Sequence, residues 1–472
     1  MFQSLQLTCP RAASAAFAML ALAGCATVSP DPGIASVQAL ARERIGKDTT
    51  LPTSNTETTL SATRQLLGKV LGVDDAVQLT LLNNAGLKSS FAELGISEAA
   101  LVQAGRLPNP RFTFSNRRNS DVTTIDRTVM VGVLSLLTMP LAQEIAGRQY
   151  EATQFQVASE VVRLASGTRR EYFVAVAAQE SVKYFEQVQL AAEAATELAQ
   201  RMAKVGNFNK LAQMREQLFY ADATAALARA RLSAVIARER LSRRMGLSGA
   251  QLDYRLPERL PELPDGTVAP VDADRTALQR RLDVLMARRS MEAMSANLGL
   301  TKATRFVNVL EVGYTNESNT HERRQNGYEI DIEIPLFDWG DARLARAEAT
   351  YMQSVHRLQS IALAAQSEVR ESYQAYRTSY ELARHYRDEI VPLRKRIADE
   401  NVLRYNGMLI GVFELLADAR DQIASVNGYI DAVRDFWIAE TDLQLALSGT
   451  SGEEPSAPRA ATMSRASSTG GH

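Results

Sequence analysis

Few side chains in this 472-residue sequence are placed to do chemistry. Of its two cysteines, Cys25 closes the run Leu22-Ala23-Gly24-Cys25, directly behind an apolar stretch from Ala12 to Ala23 that Arg11 precedes. A thiol there is a nucleophile whose small neighbours let an enzyme approach the backbone. The four histidines, His321, His356, His385 and His472, lack the spacing of a zinc or copper site. No Gly-Lys-Ser or Gly-Lys-Thr loop is present to cradle phosphate, so any energy the protein needs must come from another protein. No catalytic residue, metal site or cofactor is expected. The remaining concentration of reactive groups is acidic: Glu329, Asp331 and Glu333 interleave with Ile330, Ile332 and Ile334, and Glu311 stands in an earlier apolar stretch.

The elements that position these groups begin with an export signal. The apolar run is too short to span a bilayer as a helix and has the layout of a secretory signal, residues 1–24. Its end resembles a bacterial lipobox, which makes Cys25 the lipid acceptor and first residue of the exported chain. Cys9 falls in the removed part, so no internal disulfide can form. Residues 25–57, rich in Pro, Ser, Thr and Gly without sustained apolar periodicity, are expected to be an extended lipidated tether. With a formal net charge of −1, neither a nucleic-acid partner nor a strongly charged substrate follows from the charge balance, which does not discriminate between functions. Aromatics at 6% and alanine-rich amphipathic stretches favour long helices over a large globular core.

Asp74 or Asp75 is placed to cap a helix through Ala76, Leu79, Leu82 and Ala85. A second helix is expected over Ser90 to Ala104 and stops at Leu107-Pro108-Asn109-Pro110, because proline disfavours the helical state in the residue before it. Phe112 and Phe114 alternate with Thr113 and Ser115 as a strand requires. A polar loop from Arg118 to Asp126 leads to a second strand, Thr128 to Leu137. Pro140 is expected to open a long helical hairpin to Met245, of roughly 65 and 40 residues, or about 100 and 60 Å. The hairpin turns near Gly206-Asn207-Phe208.

The pattern then restarts. A helix pair spans Asp272 to Gly299, a strand Val309 to Asn316, a polar loop Glu317 to Gly327, and a strand Tyr328 to Ile334 that Pro335 ends. A second long hairpin runs from Asp341 to Leu447 and turns at Gly407-Met408-Leu409-Ile410-Gly411. Pro140 and Pro335, Gly206 and Gly407, and Gly246 and Gly449 are separated by 195, 201 and 203 residues. The chain is therefore read as a tandem duplication, residues 58–265 and 266–449, followed by a low-complexity, disordered tail at 450–472.

This repeat resembles the TolC-like outer-membrane efflux protein family. The resemblance is carried by Leu107-Pro108-Asn109-Pro110, by Ile334-Pro335-Leu336-Phe337-Asp338-Trp339-Gly340-Asp341-Ala342-Arg343 and by Tyr405-Asn406-Gly407, with Trp437 and Leu443 to Gly449 ending the second half as family members often do. Met139-Pro140-Leu141-Ala142-Gln143-Glu144 departs from the fuller second-half junction. Ala146-Gly147-Arg148 and Phe413-Glu414-Leu415-Leu416 lean toward the heavy-metal branch.

The resemblance implies a mainly helical protein with a small membrane β-barrel. Its tandem helical hairpins would form a periplasmic tunnel, and four strands per protomer would enter a barrel shared by a homotrimer. It also implies an outer-membrane address, which Ala26 supports because Asp follows the cysteine in inner-membrane lipoproteins. The partners implied are a periplasmic adaptor and an inner-membrane transporter, and the function is passive export of small molecules or metal ions. A type I secretion outlet for polypeptides and a lipid-anchored coiled-coil scaffold are the alternatives.

In such a barrel Glu311, Glu329, Asp331 and Glu333 face the lumen, either as rings that favour cations or only as a hydrated wall. Phe337 and Trp339 suit the membrane interface, or else pack against the helices. Gly206, Asn207 and Phe208, with Gly407, Met408, Leu409, Ile410 and Gly411, form the hairpin tips that meet the adaptor or pack within the trimer. Arg404 and Glu414 flank the second tip, as gating ion pairs or as solvated surface charge.

Overall fold

The computed structural model describes residues 28–45, 56–206, 209–267 and 272–449, with side chains at 56 and 412–419 excepted. Cys25, Asn207, Phe208 and the tail lie outside the described residues.

Helices α1 (Ile34–Ile45), α2 (Thr56–Leu67), α3 (Val73–Asn83) and α4 (Ala85–Ala104) precede strands β1 (Arg111–Asn119) and β2 (Val122–Gly132). The long helices α5 (Val133–Lys204) and α6 (Lys210–Arg244) follow. The order recurs as α7 (Ala273–Arg280), α8 (Leu282–Ala303), β3 (Leu310–Asn319), β4 (Gln325–Ile332) and α9 (Asp341–His385). A π-helical turn, Tyr386–Ile390, then leads into α10 (Val391–Asn406) and α11 (Val412–Ser448). The two compact units do not follow the repeat, since each draws on both halves. None of the described helices is long and apolar enough to cross a membrane.

The first unit comprises residues 28–40, Gly86–Ala158 and Val284–Ile361 and holds the sheet. Leu87, Phe91 and Leu94 bury one stripe of α4 at helical spacing. Arg148 and Arg289 form ion pairs with Glu151 and Glu292, linking α5 to α8. The left-handed Gly33 permits close approach of Tyr150, whose hydroxyl lies 2.3 Å from where a Cβ would stand.

In the second unit, α5 buries Val161, Ala165, Thr168, Tyr172 and Val176 at steps of three and four residues. Thr168 donates to Thr80 at 3.0 Å, and the Tyr172 hydroxyl donates to the Leu71 carbonyl at 2.9 Å. The proline-punctuated stretch after α6 is packed, with Leu256 and Leu263 buried. It accepts hydrogen bonds from Trp437 at Pro261 O and from Tyr380 at Pro264 O. At the break between α7 and α8 the buried Arg281 binds Asp283, Glu368 and the Ala446 carbonyl. Burial opposes its charge, but the two carboxylates outweigh burial and raise its pKa.

Several local expectations change. The tether segment carries α1, whose Val37 and Ala41 are fully buried; its apolar side chains have a surface to cover that composition does not reveal. Gly72 caps α3, with Asp75 reaching back to accept its N–H at 3.2 Å, so neither aspartate is itself the cap. The first polar loop shrinks to Ser120-Asp121, since strand pairing extends through Asn119↔Val122 and satisfies backbone that a loop would leave to water. Pro140 lies inside α5, which begins at Val133. A proline there forgoes the bond to the Leu136 carbonyl and sets its ring against that carbonyl, a local cost that a 72-residue helix tolerates.

Candidate channel wall and hairpin ends

The four strands form one antiparallel sheet in the order β1-β2-β3-β4. Register decides which side chains share a face, because alternate residues point to opposite sides. Glu311 pairs with Asp331, and Gly313 with Glu329. Carried across β2 and β1, the same face holds Met130, Thr128 and Asp126, then Arg111, Thr113, Ser115 and Arg117. The opposite face carries Val131, Val312 and Ile330, then Phe112, Val129, Tyr314 and Tyr328. One side is thus polar and charged, the other apolar and aromatic.

The predicted acids share the polar face, with one adjustment. Glu333 lies just beyond β4, which ends at Ile332, although its N–H still reaches the Val309 carbonyl at 3.4 Å. The cations on that face were missed. Arg111 forms an ion pair with Glu311 at 3.2 Å and Arg117 one with Asp126 at 2.5 Å, so the polar face is a mixed field with a surplus of acid on β4. The alternation of Arg111 and Arg117 with Phe112 and Phe114 was the available signal. Met130, buried on the polar face, fills the space above Gly313, where a Cβ would lie 2.1 Å from its sulfur.

Past β4, Phe337 is 99% exposed and Trp339 is also exposed. The Trp339 carbonyl accepts from Arg305 Nε at 3.1 Å, which fixes the chain leading to α9.

The hairpin ends differ from each other. In the first, Gly206 adopts φ +79 with open space around a notional Cβ, and Asn209 caps α6 by accepting the Ala212 N–H at 2.7 Å. In the second, the left-handed residue is Met408 at φ 57, while Gly407 sits at φ −79. Gly407 is therefore not the conformational pivot of the turn, and a methionine holds a backbone state that favours glycine. Met408 and Leu409 are exposed, Ile410 half-buried and Gly411 exposed. Arg404 pairs with Glu400 one turn earlier on α10, at 3.3 Å. Among the described residues no group of three or more His, Cys, Asp or Glu is placed to hold a metal.

Residues 275–399, from α7 into α10, match the model of the outer membrane efflux protein family. A membrane protein from Pseudomonas aeruginosa matches at TM-score 0.71 and 19% identity, covering 80% of this chain and 93% of that one. CusC matches at TM-score 0.66 and 17% identity, covering 80% and 92%. The Campylobacter jejuni CmeC outer membrane channel matches at TM-score 0.67 and 15% identity, covering 85% and 89%. No curated protein matches the chain in sequence. The protein therefore has the mainly helical, small-sheet fold of outer-membrane efflux channels, and segment 275–399 carries that family's sequence signature.

Proposed function

We propose that this protein is the outer-membrane channel subunit of a tripartite efflux system, a passive exit duct for small molecules or metal ions and not an enzyme. The observation that carries this reading is the register of the sheet, which sorts apolar and aromatic side chains to one face and charged and hydroxyl side chains to the other. That is the division a barrel wall needs between lipid and water. Strands β1 and β4 each have one partner, so two sheet edges are open. In lipid each unpaired backbone group costs several kcal/mol, and four strands are too few to close alone, so further copies must complete the barrel. Three copies would supply twelve strands, as the family resemblance implies.

In this reading Cys25 bears the lipid, the helices occupy the periplasm, and the hairpin ends meet a periplasmic adaptor coupled to an inner-membrane transporter. Exposed Met408 and Leu409 suit an apolar contact with that adaptor. The acids of β4 outnumber the cations opposite them, so the lumen favours cations.

Planar-bilayer recording of the purified protein tests this. Ohmic conductance with a cation-preferring reversal potential is expected, and the neutralising pair E329Q/D331N should move that potential toward zero without abolishing conductance. A protein that stays non-conducting, and becomes a soluble elongated dimer when Cys25→Ser removes the lipid, would be a scaffold instead. Gene deletion followed by profiling against copper, zinc, cobalt, bile salts and dyes assigns the cargo; loss of peptide secretion alone would overturn the efflux reading.

A further inference from the structure

We infer that the apolar face of the sheet ends in a built contact for phosphorylated lipid headgroups of the outer leaflet, made by Arg127 and Arg118. The inference rests on the channel reading above, which places the loop ends of the strands outside the cell. From Ile334, two residues past β4, the apolar series Ile334, Ile332, Ile330 and Tyr328 gives way to Asn326. At about 3.4 Å per residue and a tilt of about 40°, that span rises about 21 Å, close to the ~25 Å apolar band of such barrels. Asn326 pairs with Asn316, and Asn316 with Arg127, so Arg127 stands at the outer margin of the band.

Arg127 points to the lipid side. Its Nη1 donates to Asn316 Oδ1 at 3.2 Å and Ser318 Oγ at 3.5 Å, both on the apolar face. Phe114 stands directly opposite it on β1, and Phe112, Tyr314 and Tyr328 form the aromatic row immediately below. Arg118 lies on the same face, level with Thr123, about 10 Å further out by the same rise and tilt. A headgroup layer is about 5–8 Å deep per leaflet, so the two guanidinium groups bracket it.

Neither arginine forms an ion pair among the described residues, whereas Arg111 and Arg117 on the other face do. The sheet acids Asp126 and Glu317 also lie on that other face. A cation at the rim of hydrocarbon with no carboxylate partner is complementary to phosphate, which guanidinium binds in bidentate fashion. Reach toward bulk water is the competing use of such a side chain.

The test uses the full-length protein in uncharged detergent, with native mass spectrometry against lipid A, its dephosphorylated form and inorganic phosphate. Wild type should retain lipid A, and R118Q/R127Q should bind it about tenfold more weakly, as expected for loss of charge-assisted bonds. The dephosphorylated glycolipid should bind both proteins alike. Equal lipid A binding by wild type and variant overturns the proposal, and so does full displacement by inorganic phosphate, which would mark a free-anion site. The single variants R118Q and R127Q carry the same comparison if the double variant does not fold. Conductance in phosphatidylcholine bilayers, measured on the same preparations, keeps the two readings apart. A conducting wild type whose lipid binding ignores both arginines refutes only the headgroup contact, whereas a non-conducting wild type refutes the channel.

Discussion

Substituting Arg281 by methionine removes the charge at the junction of α7 and α8 while keeping most of the side-chain volume. The Arg281 side chain is 1% exposed and that of Asp283 11%, while Glu368 retains 30%. The guanidinium also donates to the Ala446 carbonyl at 3.0 Å, next to the point where Leu282 N–H meets the Gly449 carbonyl. Removing one member of a buried pair costs about 3–5 kcal/mol because the remaining charge stays desolvated. Both carboxylates keep some exposure, Glu368 more than Asp283, which puts R281M at the lower end, about 3 kcal/mol.

Urea unfolding in detergent, followed by far-UV circular dichroism, should then show a midpoint lowered by about 1 M for a slope near 3 kcal/mol/M. The double variant R281M/D283N also removes the more buried of the two carboxylates that face the guanidinium and should recover more than half of the loss. Wild-type stability for R281M, or no recovery in the double variant, would refute the view that uncompensated charge sets the cost.

Glu216 tests the linkage of burial to pH. Burial raises its pKa above the ordinary 4.5 despite Arg420, so the folded state holds a proton that the unfolded state releases, and stability falls as pH rises from about 4.5 through the raised value. E216Q should therefore be more stable than wild type at neutral pH, with the gap closing toward pH 4.5 in melting curves; a gap that widens on acidification would reverse the assignment. In the sheet, Gly313→Ala places a Cβ 2.8 Å from the Val129 carbonyl as well as against the Met130 sulfur. Overpacking of this kind costs about 1–3 kcal/mol, so the variant should lower the yield of inserted channel. M130A in the same chain should restore part of it, and an unchanged yield of Gly313→Ala would show that β2 and β3 can separate freely.

The elements with strong local causes were legible in advance. Prolines at 108 and 110 end a helix, the Ile330–Ile334 alternation marks a strand, and the hairpin breaks near Gly206 and Gly407 fall between long helices because glycine and asparagine weaken helix locally. Elements whose ends depend on partners were not. β2 starts at Val122 and ends at Gly132 because β1 and β3 are there to pair with it. Helix α1 forms where burial of Val37 and Ala41 outweighs a composition that looks like a linker.

The sequence alone thus determined the succession of strand, strand and long helical hairpin in each half and the acidic alternation of β4, since these follow from periodicity and from residues that forbid a backbone state. Tertiary structure alone decided that Arg111 tempers Glu311, that Met408 and not Gly407 takes the left-handed turn, and that Arg127 stands at the edge of the apolar face. The first and last of these depend on cross-strand register, which joins residues nearly 200 positions apart and leaves no trace in a local window.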